Sequence, residues 1–184
     1  LVENSIDAGA RDVFVEISSG GRQLIRVVDN GIGMAVDDVS LSFQRHTTSK
    51  MSSPTDLFTI ETLGFRGEAL ASIAAVSRLA IETRTADEDV GSHVEVEGGI
   101  SEKAVSMARD VGTTITVRGL FFNTPARRKF LRHVDTEARY IVQTLSLLAI
   151  AYPQVGIRMA NNDRPVLDYR PGDRKSRAGE VLGV

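Results

Sequence analysis

Leu63-Gly64-Phe65-Arg66-Gly67-Glu68-Ala69-Leu70 is the stretch around which the rest of the sequence can be interpreted. Two glycines flank a Phe-Arg pair, and an alanine- and leucine-rich run with helical spacing follows at once. Glycine lets the backbone approach a ligand closely, and a helix that starts just beyond offers free N–H groups and a positive dipole end. The stretch therefore indicates a site for an anion such as phosphate. A tight turn that merely reverses the chain would show the same two glycines.

Composition limits the classes of protein to consider. The 184 residues, 42% of them hydrophobic, suffice for one well-packed domain or for one domain and the start of another. A net charge of −2 means that any contact with DNA has to be local. The sequence has no cysteine and its three histidines lie far apart, which argues against a zinc site. No apolar run approaches the ~20 residues of a membrane span, so we expect a soluble cytoplasmic domain with no membrane partner.

Alternating apolar residues and turn signals predict an α+β fold, a two-layer sandwich in which helices cover one face of a largely antiparallel sheet. The predicted helices are 1–8, 37–44, 69–76, a short one that starts at 123–126, 136–151 and 174–184. The predicted strands are 13–17, 24–29, 79–83, 94–96, 104–108, 112–118, 156–159 and 165–168. Asp135 is the expected cap of the long helix. The first helix has no start signal and the last has no stop signal, so we expect a piece of a longer protein.

Three separated segments carry side chains suited to a nucleotide. The amide oxygen of Asn4 is a hard ligand of the kind that magnesium prefers. Asp29 ends a strand beside glycines, where its carboxylate could accept a hydrogen bond from an exocyclic amine. Simpler roles stay open, since Asn4 could cap a helix, Asp29 could form a turn and Thr113 could be an ordinary strand residue. The sequence lacks both the dinucleotide fingerprint and the P-loop pattern, so any nucleotide would be bound in another way.

Taken together, segments 1–10, 29–33, 64–70 and 112–114 resemble the ATPase superfamily of gyrase, the 90-kDa heat-shock chaperone, histidine kinases and MutL. Within it, Gly-Phe-Arg-Gly-Glu-Ala-Leu at 64–70, Arg-His-Thr-Thr-Ser-Lys at 45–50 and the Phe-Phe-Asn-Thr-Pro-Ala-Arg-Arg-Lys-Phe-Leu run at 121–131 are similar to MutL-type mismatch-repair proteins. The resemblance spans residues 1 to about 180. It implies a Bergerat-type ATP-binding fold over 1–170, followed by the start of a transducer-type subdomain at 171–184.

The resemblance also implies roles for individual residues, with ATP and Mg²⁺ as cofactors. Asn4 would hold the Mg²⁺ ion, Asp29 would bind the adenine amine, Gly33 would allow close approach, and Thr113 would support the base. The phosphates would be cradled by the lid residues Gly64, Phe65, Arg66 and Gly67. A second mobile segment beside this lid would contain Thr48 and Lys50. We expect disorder around 45–55 and 63–67 when no nucleotide is bound.

Hydrolysis by this chain alone is expected to be slow. In the family, a glutamate one residue before the Leu-Val-Glu-Asn run acts as general base, and that position would precede Leu1. Such a glutamate would lie four residues from Asn4, on the same helix face. Glu3 is a poor substitute because neighbouring residues are turned ~100° apart around a helix. The lysine that the family's second subdomain supplies to the γ-phosphate would lie beyond Val184.

The resemblance implies that the parent protein is an ATP-switched clamp in DNA mismatch repair. It would form an ATP-dependent homodimer through its N-terminal region and act with a mismatch-recognition protein and a downstream nuclease or helicase. Weak, nonspecific DNA binding would involve a basic cluster formed by Arg127, Arg128, Lys129 and Arg132. A solvated helix face with arginine stems packed on the sheet fits this cluster equally well.

Three alternatives to the mismatch-repair assignment are disfavoured by the sequence. A type II topoisomerase domain is disfavoured by the segments at 45–50 and 123–129. A histidine kinase is disfavoured because the sequence shows neither a phospho-acceptor helix nor a receiver contact. An interaction module with a vestigial pocket is disfavoured by the intact Asn4, Asp29 and Gly67, and nucleotide titration would distinguish it.

Overall fold

The sheet of the computed structural model, which describes residues 1–43 and 69–183, carries nine strands in that part of the chain. The strands are β1 (Asp12–Ser18), β2 (Leu24–Asp29), β3 (Arg78–Arg84), β4 (Gly91–Glu97), β5 (Ile100–Ser101), β6 (Val105–Met107), β7 (Gly112–Arg118), β8 (Gly156–Asn161) and β9 (Arg164–Tyr169). The helices are α1 (Val2–Asp7), α2 (Val36–Ser42), α3 (Ala69–Ala74), α4 (Pro125–Lys129), α5 (Val134–Ala151) and α6 (Arg174–Leu182).

The strands are hydrogen-bonded in the order β5-β4-β3-β7-β2-β1-β8-β9, and β6 also pairs with β4. Each of these pairs is antiparallel except β1 with β8, which is parallel. Strands β7 and β8 consequently run in the same direction, and a parallel relation needs a crossover connection, which α4 and α5 supply. The prediction of a largely antiparallel sheet is confirmed.

Apolar side chains on one face of the sheet and on the helices that cover it form two clusters. The first lies under α1 and α5 and includes Val13, Val15, Ile17, Leu145 and Ile157, all at most 3% exposed. The second lies under α2 and α3 and is built by buried residues such as Val39, Leu70, Leu79, Ile81 and Val117. Each such burial contributes about 1.5–3 kcal/mol, so the alternation that predicted the strands also stabilises the two layers. The two-layer sandwich is therefore confirmed.

Two predictions about helix ends are wrong. Helix α5 begins at Val134 with His133 as its N-cap, and no side chain makes a capping hydrogen bond, so Asp135 is not the cap. Asp135 instead lies in the first turn, where a carboxylate interacts favourably with the positive end of the helix dipole. The last helix does have a stop signal. Gly183 adopts a left-handed conformation at φ +72°, and its N–H donates to the carbonyl of Gly179 at 2.9 Å.

Helix α6 is attached to the end of α5 by one buried arginine. Arg177 is 1% exposed, and its guanidinium donates to the carbonyl oxygens of Ala149, Pro153, Val155 and Arg170. Its Nε also donates to Glu180 at 3.2 Å, and the ring of Tyr169 lies 5.3 Å from the guanidinium carbon. We name this arrangement the Arg177 clamp. None of the helices in residues 1–43 and 69–183 is long and apolar enough to cross a membrane.

Candidate nucleotide site

A row of polar side chains crosses the helix-covered face of the sheet at one end of its strands. Asp29 of β2 pairs with Thr113 of β7, Thr113 with Thr83 of β3, and Thr83 with Ser92 of β4. We call these four residues the polar row; they are 9%, 6%, 0% and 8% exposed. Because successive side chains alternate between faces, the row shares its face with the apolar core. Buried polar groups of this kind need hydrogen-bond partners, so the polar row is a candidate binding site.

The Asp29 carboxylate is held by three donors. Its Oδ2 accepts a hydrogen bond from the hydroxyl of Ser5 at 2.7 Å. Its Oδ1 accepts from the backbone N–H of Gly31 at 3.0 Å and from that of Thr113 at 3.2 Å. An ionised carboxylate has about four acceptor positions, and the described residues fill three of those of Asp29. Its Oδ2 can therefore accept a further hydrogen bond, such as one from an amine.

Two threonines continue the network away from Asp29. The hydroxyls of Thr83 and Thr113 lie 3.1 Å apart. The hydroxyl of Thr83 also accepts from the N–H of Met34 at 2.8 Å and donates to the carbonyl of Gly112 at 3.2 Å. Thr83 thereby ties the loop after β2 to strands β3 and β7. The predicted residue Thr113 is thus in the same network as Asp29.

The glycines after Asp29 are needed for packing within the protein. A Cβ atom on Gly31 would lie 2.8 Å from the carbonyl oxygen of Ala8, at the end of α1. A Cβ on Gly33, whose φ is +76°, would lie 2.1 Å from the carbonyl oxygen of Arg84. The loop therefore lies between α1 and β3 with no room for side chains at these positions. Contact of Gly33 with a ligand stays a prediction.

Helix α1 brings Asn4 to the same end of the sheet as Asp29, because the next residue, Ser5, bonds directly to Asp29. Asn4 is half-buried, and no hydrogen bond joins its side chain to another described residue. In the described ranges no group of three or more acidic or histidine side chains is placed to bind a metal ion. One free amide oxygen fits Mg²⁺ that is bound mainly through phosphates and water, which is the usual way in which proteins bind it to nucleotides.

Charge near the row comes from Arg109. Its guanidinium donates to the carbonyl oxygen of Glu82, and its stem packs over Gly91. Partial burial lowers the pKa of Arg109, while the negative charges of Glu82 and Asp29 act in the opposite direction. A cation is thus within electrostatic range of the Asp29 carboxylate.

Several predicted site residues lie outside the described residues, and the structure places none of them. They are Thr48, Lys50, Gly64, Phe65, Arg66 and Gly67, together with the segments 45–55 and 63–67 for which disorder was expected. In the described part of the chain, α3 covers Ala69–Ala74, within the helix predicted over 69–76.

The structure also shows two residues that sequence reasoning missed. Ser5 is 24 positions from Asp29 in sequence, and Thr83 is 30 positions from Thr113. The signal for Ser5 was its place beside Asn4 on the first helix. Thr83 occupies an inward position in an alternating strand, where a hydroxyl among apolar residues marks a buried polar contact.

The basic cluster lies at the other end of the sheet. Helix α4 comes after the end of β7 in the chain, whereas Thr113 stands near the start of that strand. The five residue steps from Thr113 to Arg118 span about 17 Å. Arg132 stacks over the ring of Tyr140 at 4.7 Å. Arg22 donates to the carbonyls of Leu131 and Arg132 and so fixes the loop after α4. The structure therefore does not bring the basic cluster together with the polar row.

Comparison with known proteins matches this chain to one family and to named relatives. Residues 1–111 match the family described as histidine kinase-, DNA gyrase B-, and HSP90-like ATPase. The whole chain is 51% identical over 185 residues to the DNA mismatch repair protein MutL of Xanthomonas oryzae pv. oryzae and covers 30% of that protein. It is 48% identical over 183 residues to MutL of Citrifermentans bemidjiense and covers 28% of it. The chain thus spans less than a third of the length of these curated relatives.

Solved structures show the same architecture. The Aquifex aeolicus MutL ATPase domain complexed with ADP matches with a TM-score of 0.79 and 34% identity, over all of this chain and 65% of that one. The N-terminal domain of a DNA repair protein matches with a TM-score of 0.79 and 25% identity, over 98% of this chain and 54% of that one. The predicted ATP-binding fold and the resemblance to MutL are confirmed. Since the family match covers more than half of its residues, the chain belongs to the histidine kinase-, DNA gyrase B- and HSP90-like ATPases.

Proposed function

We propose that this chain is the ATP-binding domain of a MutL-type mismatch repair protein in which ATP switches a dimerising clamp. The observation that carries the proposal is the Asp29 carboxylate, buried, fixed by three donors and left with one acceptor position. The adenine amine would occupy this position, with Thr113 supporting the base and Gly33 beside it. Asn4 would hold a Mg²⁺ ion, which would neutralise phosphate charge when bound.

The phosphates would be bound by the residues that the resemblance to the family assigns to a lid. Backbone N–H groups in a glycine-rich segment that leads into a helix form a suitable cradle for anions. We assign this role to Gly64, Phe65, Arg66 and Gly67, with Thr48 and Lys50 beside them. The packing of α3 supports this assignment, because Leu70 and Ala74 anchor in the core the helix that follows these residues in sequence.

The test is calorimetric titration with a non-hydrolysable ATP analogue and Mg²⁺. Asp29→Asn should abolish measurable binding of the analogue. The side-chain amide nitrogen of asparagine is a donor, and it would replace a carboxylate oxygen that accepts from the surrounding donors. Asp168→Asn is the matched control, because Asp168 is exposed on β9, away from the polar row, and this variant should bind as wild type does. Unchanged affinity in Asp29→Asn, with the fold intact by circular dichroism, would contradict the proposed site.

We propose further that this chain binds ATP more readily than it hydrolyses it. Glu3 is the carboxylate next to Asn4 on α1, and neighbouring side chains point about 100° apart. General-base catalysis needs the base within hydrogen-bond reach of the attacking water, on the side where the phosphate is held. Single-turnover hydrolysis by residues 1–184 should be much slower than by the full-length protein, and equal rates would show that the base lies within this chain.

Partners and compartment follow from the same proposal. The parent would dimerise through its N-terminal region when ATP binds, act with a mismatch-recognition protein and a downstream nuclease or helicase, and work in the cytoplasm.

We also propose a domain boundary near residue 170, with 171–184 beginning a transducer-type subdomain. The Arg177 clamp would then be the joint that fixes this subdomain to the end of α5.

DNA binding is a second proposed function and rests on α4. Arg127, Arg128 and Lys129 are exposed, and none of the three pairs with an acidic residue in the described part of the chain. Arg132 completes the cluster at the surface. Unpaired cations on consecutive positions suit the phosphate backbone, and such binding is independent of sequence and sensitive to salt.

The salt dependence of binding tests this role. Replacing Arg127 and Arg128 by alanine should reduce the slope of log K against log salt by about 1.4–1.8, since each lost phosphate contact removes about 0.7–0.9. Arg139→Ala combined with Arg164→Ala removes the same charge from other exposed positions and should leave the slope unchanged. An unchanged slope in the α4 variant would assign the cluster to structure.

A further inference from the structure

We infer that Glu88 is a positioning residue for nucleotide binding, because its carboxylate fixes the far end of the loop that follows Asp29. The loop spans residues 30–35, between β2 and α2, and Glu88 lies in the turn between β3 and β4. The inference rests on the proposed nucleotide site and adds a residue outside it. Glu88 would not contact the nucleotide, and it acts through the backbone of this loop. We call this arrangement the Glu88 latch.

The Glu88 latch consists of three hydrogen bonds to one carboxylate. Its Oε1 accepts from the backbone N–H of Val36 at 3.2 Å, across 52 positions of the sequence. Its Oε2 accepts from the hydroxyl of Thr85 at 2.9 Å and from the backbone N–H of Thr85 at 3.3 Å. The bonds from Thr85 and Val36 lower the pKa of Glu88, so its carboxylate is ionised at neutral pH. Thr85 thus orients the carboxylate, and Val36 is the group that it holds.

The bond to Val36 replaces a helix cap that the local sequence does not provide. Val36 is the first residue of α2, and the N-cap residue Ala35 makes no side-chain capping hydrogen bond. The N–H groups of a first helical turn have no partner within the helix, and they attract negative charge together with the helix dipole. Glu88 therefore supplies from a distant turn the acceptor that a serine or an aspartate would supply at the N-cap position.

The latch completes a series of hydrogen bonds that runs along the loop. Near its start, the N–H of Ile32 donates to the carbonyl oxygen of Ala8, at the end of α1, at 3.0 Å. In its middle, the N–H of Met34 donates to the hydroxyl of Thr83 on β3 at 2.8 Å. Glu88 adds the bond at the end of the loop, where α2 begins. The loop beside Asp29 is therefore held in one conformation before a nucleotide binds.

Loss of the latch should change how fast a nucleotide binds rather than how long it stays bound. Without the latch, the free protein would also populate conformations in which the end of the loop has moved away from the turn. A nucleotide binds only the latched fraction, so the association rate falls with that fraction. A bound nucleotide would itself hold the loop, which leaves the dissociation rate unchanged. Loss of a residue that contacts the nucleotide would instead raise the dissociation rate.

Stopped-flow binding of ADP with a fluorescent label on its ribose tests the latch in the full-length protein. Glu88→Ala should lower the association rate constant by about fivefold, the change in population that the loss of one helix cap causes. It should leave the dissociation rate constant unchanged. Asp87→Ala is the matched control, because it removes a carboxylate from the adjacent, exposed position of the same turn. Both of its rate constants should equal those of the wild type.

A second variant and a second measurement test the same contacts. Thr85→Val removes the hydroxyl that orients Glu88 but keeps the carboxylate, so the association rate should fall less than in Glu88→Ala. Combining the two changes should cause no further decrease, because both break the same latch. Amide hydrogen exchange of Val36 reports on the latch without nucleotide, and it should be faster in Glu88→Ala than in the wild type or in Asp87→Ala.

The two rate constants distinguish positioning from simple support of the fold. If Glu88→Ala lowered the unfolding midpoint but kept both rate constants, its role would be structural only and the inference would be overturned. A faster dissociation with unchanged association would overturn it as well, because Glu88 would then contact the nucleotide. Failure of the proposed function has a different result, since the wild-type protein would then bind no labelled ADP. If Glu88→Ala does not fold, the association rate of Thr85→Val decides the question.

Discussion

Gly33 shows how a residue in a proposed binding site can be required for a reason that its sequence does not reveal. Its expected role was to allow close approach of a base. The structure shows a φ of +76° and a potential Cβ only 2.1 Å from the carbonyl oxygen of Arg84. Backbone contact between the loop and β3 therefore excludes a side chain here, whether or not a ligand is bound.

Gly33→Ala should accordingly destabilise the protein more than Gly9→Ala. Gly9 has a similar φ of +71° but open space around its potential Cβ, so alanine there costs only the conformational strain of about 1–2 kcal/mol. At Gly33 the clash should add roughly 1–3 kcal/mol. Urea unfolding of both variants measures the difference, and equal losses would mean that the loop moves away from β3 without cost.

Single residues also show where prediction from sequence stops. Asp29 could be placed at a strand end beside glycines because the alternation of Leu24 to Asp29 and the glycines that follow are local signals. Its bond to Ser5 could not be predicted, since it joins residues 24 positions apart and depends on where α1 docks. The position of Asp29 was thus predictable, whereas the side chains that hold its carboxylate were not.

Among the elements, α6 depends most on a single side chain. Replacing Arg177 by methionine keeps a long apolar stem but leaves the carbonyls of residues 149–155 and Arg170 without their donor. We expect a loss of about 3 kcal/mol or more, since each buried acceptor left unpaired costs about 1–3 kcal/mol. Arg174→Met on the exposed face of the same helix should cost less than about 0.5 kcal/mol. Similar unfolding midpoints for the two variants would contradict the role of the Arg177 clamp.

The start of α6 is expected to be sensitive to acid. Hydrogen bonds from the backbone N–H and the hydroxyl of Ser176 lower the pKa of Asp173, the N-cap. The native state therefore binds fewer protons than the unfolded state, so the stabilisation is present above about pH 4 and is lost as pH falls through the lowered native pKa.

Asp173→Asn keeps a capping oxygen but removes this titration. The difference in urea midpoint between wild type and Asp173→Asn should favour the wild type at about pH 6 and shrink by about pH 3. A difference that is constant with pH would show that the charge of Asp173 does not stabilise the cap.

Elements differed in how well the sequence predicted them. The β1–β2 hairpin was predictable because both strands alternate and a Ser-Ser-Gly-Gly turn joins them. The parallel pairing of β1 with β8 was not, since alternation indicates which face of a strand is buried but not which strand lies beside it. β5, two residues long, was too short to show alternation at all.

For the whole molecule, the two proposed functions lie at opposite ends of the sheet. The polar row stands at the start of β7 and the basic cluster follows its end, about 17 Å away. Sites that far apart with no shared partners usually behave independently. Replacing Arg127 and Arg128 by alanine should therefore change the affinity for ADP by less than about twofold, within the usual deviation from additivity. A larger change in a titration would show that the ends are coupled.

The parallel β1–β8 pair, which lies next to the β9 edge of the sheet, has a consequence for synthesis on the ribosome. Strand β1 is made early, but its neighbour β8 begins at Gly156, 144 residues after Asp12. At typical rates of about 5–20 residues per second, roughly 7–30 s pass before β8 leaves the peptidyl transferase centre. Throughout that interval one side of the β1–β2 hairpin is an unpaired edge that can join other chains. The nascent protein therefore carries an open strand edge at a stage when its hairpin is already complete.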